Sequence, residues 1–145
     1  MHIIDRYRAY AEAFEATYLD DDWSRLERYF TKDVTFRSFY TADIMVVGRQ
    51  AVIEQLRADV EAFDRKFDER HLEFVGTPRE AGRRVAMQWK MIYVKTGAPD
   101  LVLMGTEAAT FAGDLIVLLE GAYAPDSFGE FGAWLGKYGE FLRKS

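Results

Sequence analysis

RRVAMQWKMIYVKTGAPDLVLMGTEAATFAGDLIVLLEGAY, residues 83–123, decides the fold predicted for this chain. Its three apolar runs are separated by KTGAPD and AGD, which contain the glycine, proline and aspartate residues typical of turns. In the first run Trp89 and Met91 alternate with Gln88 and Lys90, as in a strand that buries one face. The run RHLEFVG comes before it, across the turn sequence TPREAG. We therefore expect four consecutive strands joined in antiparallel order by short turns.

Helical periods dominate the chain before this sheet. The first predicted helix carries its apolar residues at steps of three and four, at Ile4, Tyr7, Ala11, Phe14 and Tyr18. Asp22 is a suitable N-cap for a short second helix, and Gly48 precedes a third whose apolar positions are Ile53, Leu56, Val60, Phe63 and Phe67. Between the second and third helices, DVTFRSF alternates like a strand. Three helices in the N-terminal half, followed by a curved and mostly antiparallel sheet, predict an α+β fold shaped as a cone-like barrel with an apolar interior.

The C-terminal segment has two stripes at helical spacing. One consists of Gly129, Gly132, Gly136 and Gly139, and the other of Phe128, Phe131, Leu135, Tyr138 and Leu142. Glycine inside a helix costs roughly 1 kcal/mol against alanine, so we expect the glycine stripe to allow a close approach to another surface. Residues 126–145 are therefore predicted to form an added helix that places Phe131, Trp134 or Tyr138 at the cavity entrance as a lid, on its own subunit or across a dimer. The alternatives are a helix that covers the outer sheet, and separate turns at the glycines.

Composition limits the classes of function. A chain of 145 residues with 49% hydrophobic residues is predicted to form one domain over 1–145. Its net charge of −5 and the lack of a basic block argue against nucleic acid or a membrane as a partner. With no cysteine and two histidines far apart in the sequence, we predict no metal and no cofactor. The charged and periodic start MHIIDRYRAYAEAF is unlike an apolar signal sequence, which predicts a cytoplasmic protein.

Several segments together resemble the SnoaL-like branch of the nuclear transport factor 2-like superfamily. They are the aromatic end of the first helix before DDDWSRLERYF, the strand KDVTF, the helix start VVGRQAVIEQL, the strand VAMQWKMIYV, and GTEAATFAGDLIVLLEGAY. The resemblance covers about residues 5 to 124 and leaves the C-terminal helix outside it. It implies a cone-shaped fold and a homodimer formed through the outer face of the sheet.

The superfamily includes ketosteroid isomerases, polyketide cyclases, dehydratases and epoxide hydrolases, together with binding domains that perform no chemistry. Ser38 falls at the position of the isomerase base and cannot serve as that base. Phe14 falls at the oxyanion-binding tyrosine, with Tyr18 one turn later, whereas Glu107, four residues before Phe111, matches the second oxyanion-binding acid. Because one of three groups remains, ketosteroid isomerisation is not expected. The aspartate–arginine–aspartate arrangement of the epoxide hydrolases is not recognisable on the four antiparallel strands.

Glu107 is the candidate catalytic residue. A carboxylate between alanines in an apolar strand is unusual unless it has a bonding partner or a functional role. If it faces the cone, burial would raise its pKa and make it a general acid or base, or a neutral hydrogen-bond donor. If the strand is turned over, Glu107 is solvated or paired at a dimer face. The residues predicted to line the cavity are Phe14, Tyr18, Phe36, Ser38, Trp89, Met91, Phe111 and Tyr123.

Three functions are consistent with these residues. The first is binding of a small hydrophobic or aromatic ligand in the cavity, favoured because the catalytic set is incomplete. The second is a cofactor-free acid–base enzyme of the polyketide cyclase, isomerase or dehydratase type that uses Glu107. The third is a dimeric structural domain whose interior is filled by side chains.

Overall fold

The computed structural model describes residues 2–40 and 42–143. Its helices are α1 (Ile3–Asp20), α2 (Arg49–Ala62), α3 (Pro125–Tyr138) and α4 (Glu140–Arg143), and short 3₁₀ helices span Trp23–Tyr29 and Asp64–Lys66. Its strands are β1 (Phe30–Phe39), β2 (Ile44–Val47), β3 (Glu69–Ala81), β4 (Arg84–Val94), β5 (Leu101–Ala112) and β6 (Leu115–Tyr123). The predicted α+β class is confirmed.

The strands form one mixed sheet in the order β2-β1-β6-β5-β4-β3. Strands β3 to β6 are the predicted antiparallel meander, whereas β1 runs parallel to β6 and antiparallel to β2. Strand β2 was not predicted from the sequence, because its four apolar residues IMVV are too few to show a period. Since β2 and β3 are the two edges of the sheet, the sheet is open and does not close into the predicted barrel.

The meander alternates between an inner face, toward the helices, and an outer face. On β4 Met87, Met91 and Tyr93 are buried, whereas Gln88 is exposed. The main core joins this inner face to the apolar sides of α1 and α2, through residues such as Tyr10 of α1. The period of two along β4 therefore identified the buried face correctly.

Helix α1 has a defined beginning and end that follow from its flanking residues. The Nδ1 atom of His2 accepts a hydrogen bond from the backbone N–H of Ile4 at 3.3 Å. At the other end Asp21 adopts a left-handed conformation, with φ of 61°, and donates its N–H to the carbonyl of Thr17. The helix lies across the sheet and carries Tyr7 into the interior.

The third predicted helix is shorter than expected. It ends at Ala62, and Phe67, assigned to it from the sequence, follows a 3₁₀ turn and precedes β3. The ring of Phe67 is nevertheless buried, with its centroid 4.7 Å from that of Tyr93. A spacing of four residues between Phe63 and Phe67 suits a helix, but here it reflects two aromatic rings that pack in the same core.

The C-terminal segment contains two helices in place of the one predicted, and residues 144–145 lie outside the described residues. Helix α3 is attached to the sheet at its first turn, where the Ser127 hydroxyl accepts a hydrogen bond from the N–H of Met104 at 2.8 Å. Further along, the indole of buried Trp134 donates to the carbonyl of Pro99 at 2.9 Å. The aromatic side of α3 packs against inner residues such as Leu101 and Leu103.

Within this chain the glycine stripe makes no close approach to another surface at Gly129, Gly132 or Gly136, and the predicted contact with a partner subunit stays a prediction. A Cβ atom built on Gly129, Gly132 or Gly136 meets no atom within 4 Å, so this side of α3 faces open space. The aromatic side docks α3 without help from the glycines, because its bulky rings already fill the space against the sheet. Within the described part of the chain, no helix has the length and apolar character needed to cross a membrane.

Candidate functional site

A cavity of about 320 Å³ lies between the inner face of the sheet and helices α1, α2 and α3. Its wall is mainly aromatic and aliphatic, and polar groups enter it at a few places. Glu107 comes from β5, Tyr7 and Glu15 come from α1, and Arg70 comes from the edge strand β3. Such a cavity, apolar with a few convergent polar groups, is typical of a small-molecule site.

Glu107 faces the cavity, as one of the two alternatives from the sequence proposed. The Tyr7 hydroxyl donates a hydrogen bond of 2.8 Å to its Oε1 atom. Burial raises the pKa of Glu107 to about 7, while the hydrogen bond from Tyr7 lowers it and the nearby charge of Glu15 raises it. The side chain lies deep in the protein, yet part of it remains accessible from the cavity. Near neutral pH this group can therefore either accept or donate a proton.

A second polar group of side chains is centred on Arg70. Its guanidinium donates to both oxygens of Glu15, at 2.6 and 3.2 Å, and to Asp64 Oδ2 at 2.6 Å. Burial opposes the charge of Arg70, but hydrogen bonds to Glu15 and the adjacent Asp64 carboxylate outweigh it and raise the Arg70 pKa. Burial also raises the pKa of Asp64, although Arg70 acts in the opposite direction.

This cluster was not predicted from the sequence, because its members lie far apart in the chain. Arg70 and Glu15 are separated by 55 positions. One signal was available, since Arg70 shares the inward parity of Leu72 and Phe74 on β3, where an arginine needs a carboxylate partner.

An aromatic group forms another part of the wall. The ring centroids of Tyr40 and Tyr123 are 4.8 Å apart, and that of Trp89 lies 6.0 Å from Tyr40 and 5.9 Å from Tyr123. Trp89 lies so close to Gly105 that an added Cβ there would collide with the indole. Trp89 and Tyr123 were predicted from the sequence to line the cavity, whereas Tyr40, which lies just beyond the end of β1, was not.

The structure places most of the predicted cavity residues on the wall: Phe14, Phe36, Ser38, Trp89, Met91 and Tyr123. Two predictions are wrong. Tyr18 lies outside the wall, because its ring packs under the guanidinium of Arg70, whose Cζ is 4.5 Å from the ring centroid. Phe111 lies four residues beyond Glu107 on β5, in the solid core, where it is buried among side chains such as Ile116.

Of the three residues predicted as a lid, Phe131 lines the cavity. Its ring centroid lies 5.1 Å from that of Phe63 and 5.8 Å from that of Tyr123. Trp134 and Tyr138 do not reach the cavity. Their ring centroids lie 5.7 Å apart, and both rings pack against a separate group of buried side chains that includes Leu101 and Leu103. In the described part of the chain, no group of three or more histidine, cysteine, aspartate or glutamate side chains is arranged to hold a metal ion.

The helices on the inner face of the mixed sheet, and the cavity between them, give this α+β protein the fold seen in solved nuclear transport factor 2-like structures. Residues 7–119 match the model of the SnoaL-like domain, and the chain belongs to this family. A comparison with curated proteins finds no match.

Solved structures with the same fold are distant in sequence. A nuclear transport factor 2-like protein of unknown function from Burkholderia pseudomallei is 14% identical, with a TM-score of 0.66, over 89% of this chain and 96% of that one. A putative isomerase of the SnoaL-like family from Agrobacterium tumefaciens is 17% identical, with a TM-score of 0.60, over 83% and 98%. A protein of ketosteroid isomerase-like fold from Catenulispora acidiphila, described in complex with trimethylamine, is 18% identical, with a TM-score of 0.61, over 82% and 88%.

Proposed function

We propose that this protein binds a small, largely apolar ligand in the cavity and orients it through a hydrogen bond with Glu107. The observation that supports this most directly is the cavity of about 320 Å³, into which Glu107 projects beside Tyr7. The volume is at the lower end of the roughly 300–1,000 Å³ typical of small-molecule sites. Trp89, Tyr123 and Phe131 supply apolar contact, and the carboxyl group supplies orientation.

The same fold accommodates small organic molecules elsewhere. The Catenulispora protein is described in complex with trimethylamine, although at 18% identity the likeness concerns the fold alone. A cavity of this size also argues against a purely structural domain with a filled interior. The ligand-binding proposal therefore depends on this chain's own wall residues.

Acid–base catalysis without a cofactor is the second candidate, and one observation favours it. The pKa of Glu107, raised to about 7 by burial, suits proton transfer near neutral pH. Tyr7 holds the carboxyl group in one orientation. An enzyme of the cyclase, isomerase or dehydratase type would use Glu107 to remove a proton from its substrate and return it at another atom.

Binding can be located with the three tryptophan indole N–H signals in a nuclear magnetic resonance titration. Trp89 lines the cavity, whereas the indoles of Trp23 and Trp134 are bonded to Asp21 and Pro99 away from it. We expect 2-naphthol, a small aromatic alcohol, to shift the Trp89 signal and leave the other two in place. Trp89→Phe assigns the signal. Equal shifts of all three signals, or none, would contradict the proposed site.

A glutamine substitution separates the two candidates. Glu107→Gln keeps the shape and a hydrogen-bonding group but removes proton transfer, and Glu120→Gln on the outer face is the matched control. A binding protein should keep 2-naphthol with a modest change in affinity. An enzyme should lose about 10²–10⁴-fold in rate on its substrate, because general acid–base catalysis contributes factors of that order.

A further inference from the structure

We infer that the ligand of this cavity is an organic cation, an amine or ammonium group carried on an apolar or aromatic body. The inference rests on the proposed function and specifies its ligand class. It follows from two features of the wall: its acidic side chains outnumber its basic ones, and aromatic rings lie around them.

The charges on the wall are unbalanced. The described lining residues include four carboxylates, Glu15, Asp59, Asp64 and Glu107, and one basic side chain, Arg70. The wall therefore carries a net charge of −3 when all four acids are ionised, and −2 when Glu107 is protonated. An anionic ligand would be repelled by this excess, whereas a cation would be attracted.

Arg70 is not arranged to bind an anion. Its Nε, Nη1 and Nη2 atoms all donate to the carboxylates of Glu15 and Asp64. Its side chain is 5% exposed, so a ligand would have to displace one of these carboxylates to reach it. The positive charge of Arg70 is thus already balanced by Glu15 and Asp64. Among the described lining residues, no basic side chain is left to balance Glu107 and Asp59.

The aromatic residues suit a cation for a separate reason. Ring faces carry partial negative charge, and a cation within about 6 Å of a ring centroid is stabilised by roughly 0.5–2 kcal/mol. Tyr40, Trp89 and Tyr123 form one such group, with centroids 4.8 to 6.0 Å apart. Burying an ammonium ion without a counter-charge is very unfavourable, and Glu107 provides that counter-charge inside the protein.

Binding of a cation should depend on pH through Glu107. The groups that act on the pKa of Glu107 are Tyr7, which donates a hydrogen bond, and Glu15, whose negative charge raises it. Tyr10 and Tyr40 also lie nearby, and the charge of Glu107 raises their own pKa values. Burial raises the pKa of the three tyrosines further, so they stay neutral at ordinary pH. Because an ammonium group binds best to the ionised carboxylate, its affinity should rise as pH increases through about 7.

Three probes of similar size test the charge of the ligand. They are 2-phenylethylamine, which is a cation near neutral pH, neutral 2-phenylethanol, and the anion 3-phenylpropanoate. Calorimetry on the full chain measures affinity, and the Trp89 indole signal reports the position. We expect the amine to bind at least about tenfold more tightly than the alcohol, which corresponds to about 1.4 kcal/mol, and the anion to bind most weakly.

Substitutions then locate the source of the preference. Glu107→Gln and Asp59→Asn should each reduce the affinity for the amine by several-fold and leave that for the alcohol nearly unchanged. Glu73→Gln removes a carboxylate from the outer face of β3 and should change neither. The affinity of the unsubstituted protein for the amine should increase between about pH 5.5 and 8. Glu107→Gln should reduce that dependence to the part contributed by Asp59 and Asp64, whose pKa values are also raised.

The outcomes distinguish the two proposals. If Trp89 responds to 2-naphthol and 2-phenylethanol but the amine has no advantage, the cation inference is wrong and the binding site stands. Tightest binding of 3-phenylpropanoate would likewise overturn the inference. If none of the four probes moves the Trp89 signal, the proposed function is wrong as well.

Discussion

Glu107 places a carboxyl group in a mostly apolar interior, and this makes its ionised form costly to the folded protein. Its pKa is raised from 4.5 to about 7, chiefly by burial. The folded protein therefore binds more protons than the unfolded chain between these pH values, and the free energy of unfolding falls as pH rises through this window. A group that suits proton transfer or cation binding thus destabilises the empty protein at neutral pH.

Glu107→Gln should remove this pH dependence. The shift from 4.5 to about 7 corresponds to roughly 3 kcal/mol, so the unsubstituted protein should lose about that much stability between pH 4.5 and 8 relative to the variant. Urea denaturation at several pH values measures the difference. Asp59 and Asp64 also have raised pKa values, but both proteins contain them and their effects cancel. Identical pH dependence in the two proteins would show that Glu107 is not buried as described.

Gly105 is required by the position of Trp89. An added Cβ would collide with the indole and with the backbone carbonyl of Ala122, and a backbone atom cannot move aside easily. We expect Gly105→Ala to destabilise the protein by about 1–3 kcal/mol, as overpacking of a core does. The measurement is chemical denaturation, with a shift of the Trp89 indole signal as the local readout.

Gly82→Ala is unsuitable as a control because its φ is 61°, whereas Gly129→Ala adds a methyl group in open space. Equal stability of the Gly105→Ala and Gly129→Ala proteins would contradict the packing of Trp89 described above.

At the scale of elements, α3 attaches through its aromatic side and leaves its glycine side uncovered. Adding Cβ atoms at Gly129, Gly132 and Gly136 meets no neighbour within 4 Å. Alanine is favoured over glycine in a helix by roughly 1 kcal/mol, so each substitution to alanine should raise the free energy of unfolding by up to that amount. Thermal denaturation of the three single variants and of the triple variant tests this. A loss of stability, or a change of oligomeric state, would indicate that the glycine side packs against a second subunit.

Local patterns in the sequence predicted the sheet well, because the period of two is a property of each strand alone. The period correctly predicted that Trp89 and Met91 face inward, and an inward-facing Glu107 was one of the two alternatives it left open. These local patterns could not predict the hydrogen bond between Glu107 and Tyr7, which is 100 positions away, or the partners of Arg70, because both contacts join distant parts of the chain. They also misassigned Phe111, because the strand period gives the face of a side chain but not whether a cavity or a solid core lies beyond it.

On the whole molecule, the outer face of the sheet exposes several apolar side chains. Val47 and Met45 are 59% and 65% exposed, and Met104 and Phe39 are 38% and 43% exposed. Charged pairs lie on the same face, such as Arg84 with Glu120 at 3.6 Å. Apolar area mixed with both signs of charge is compatible with a surface that pairs with itself.

We therefore expect a homodimer through the outer face, as the family resemblance implies. Sedimentation at micromolar concentration should give the mass of two chains. Met45→Lys together with Val47→Lys places charges in the apolar patch and should yield monomers, whereas Leu19→Lys, at an exposed position on α1, should not. A monomer in the unsubstituted protein would disprove the expectation.

The parallel pairing of β1 with β6 also determines when, during synthesis, the sheet can finish folding. Thr35 pairs with Leu118, 83 positions later, whereas β3 to β6 pair with their neighbours along the chain. During synthesis β1 can pair with β2 and α1 can contact β4 before β6 is made, but the ladder between β1 and β6 cannot form until β6 has left the ribosome. Contacts that close such long loops form late and slow the search for the native state. Until then the edge of β1 that pairs with β6 lacks its partner strand, and this unpaired edge is a surface on which a chaperone could act.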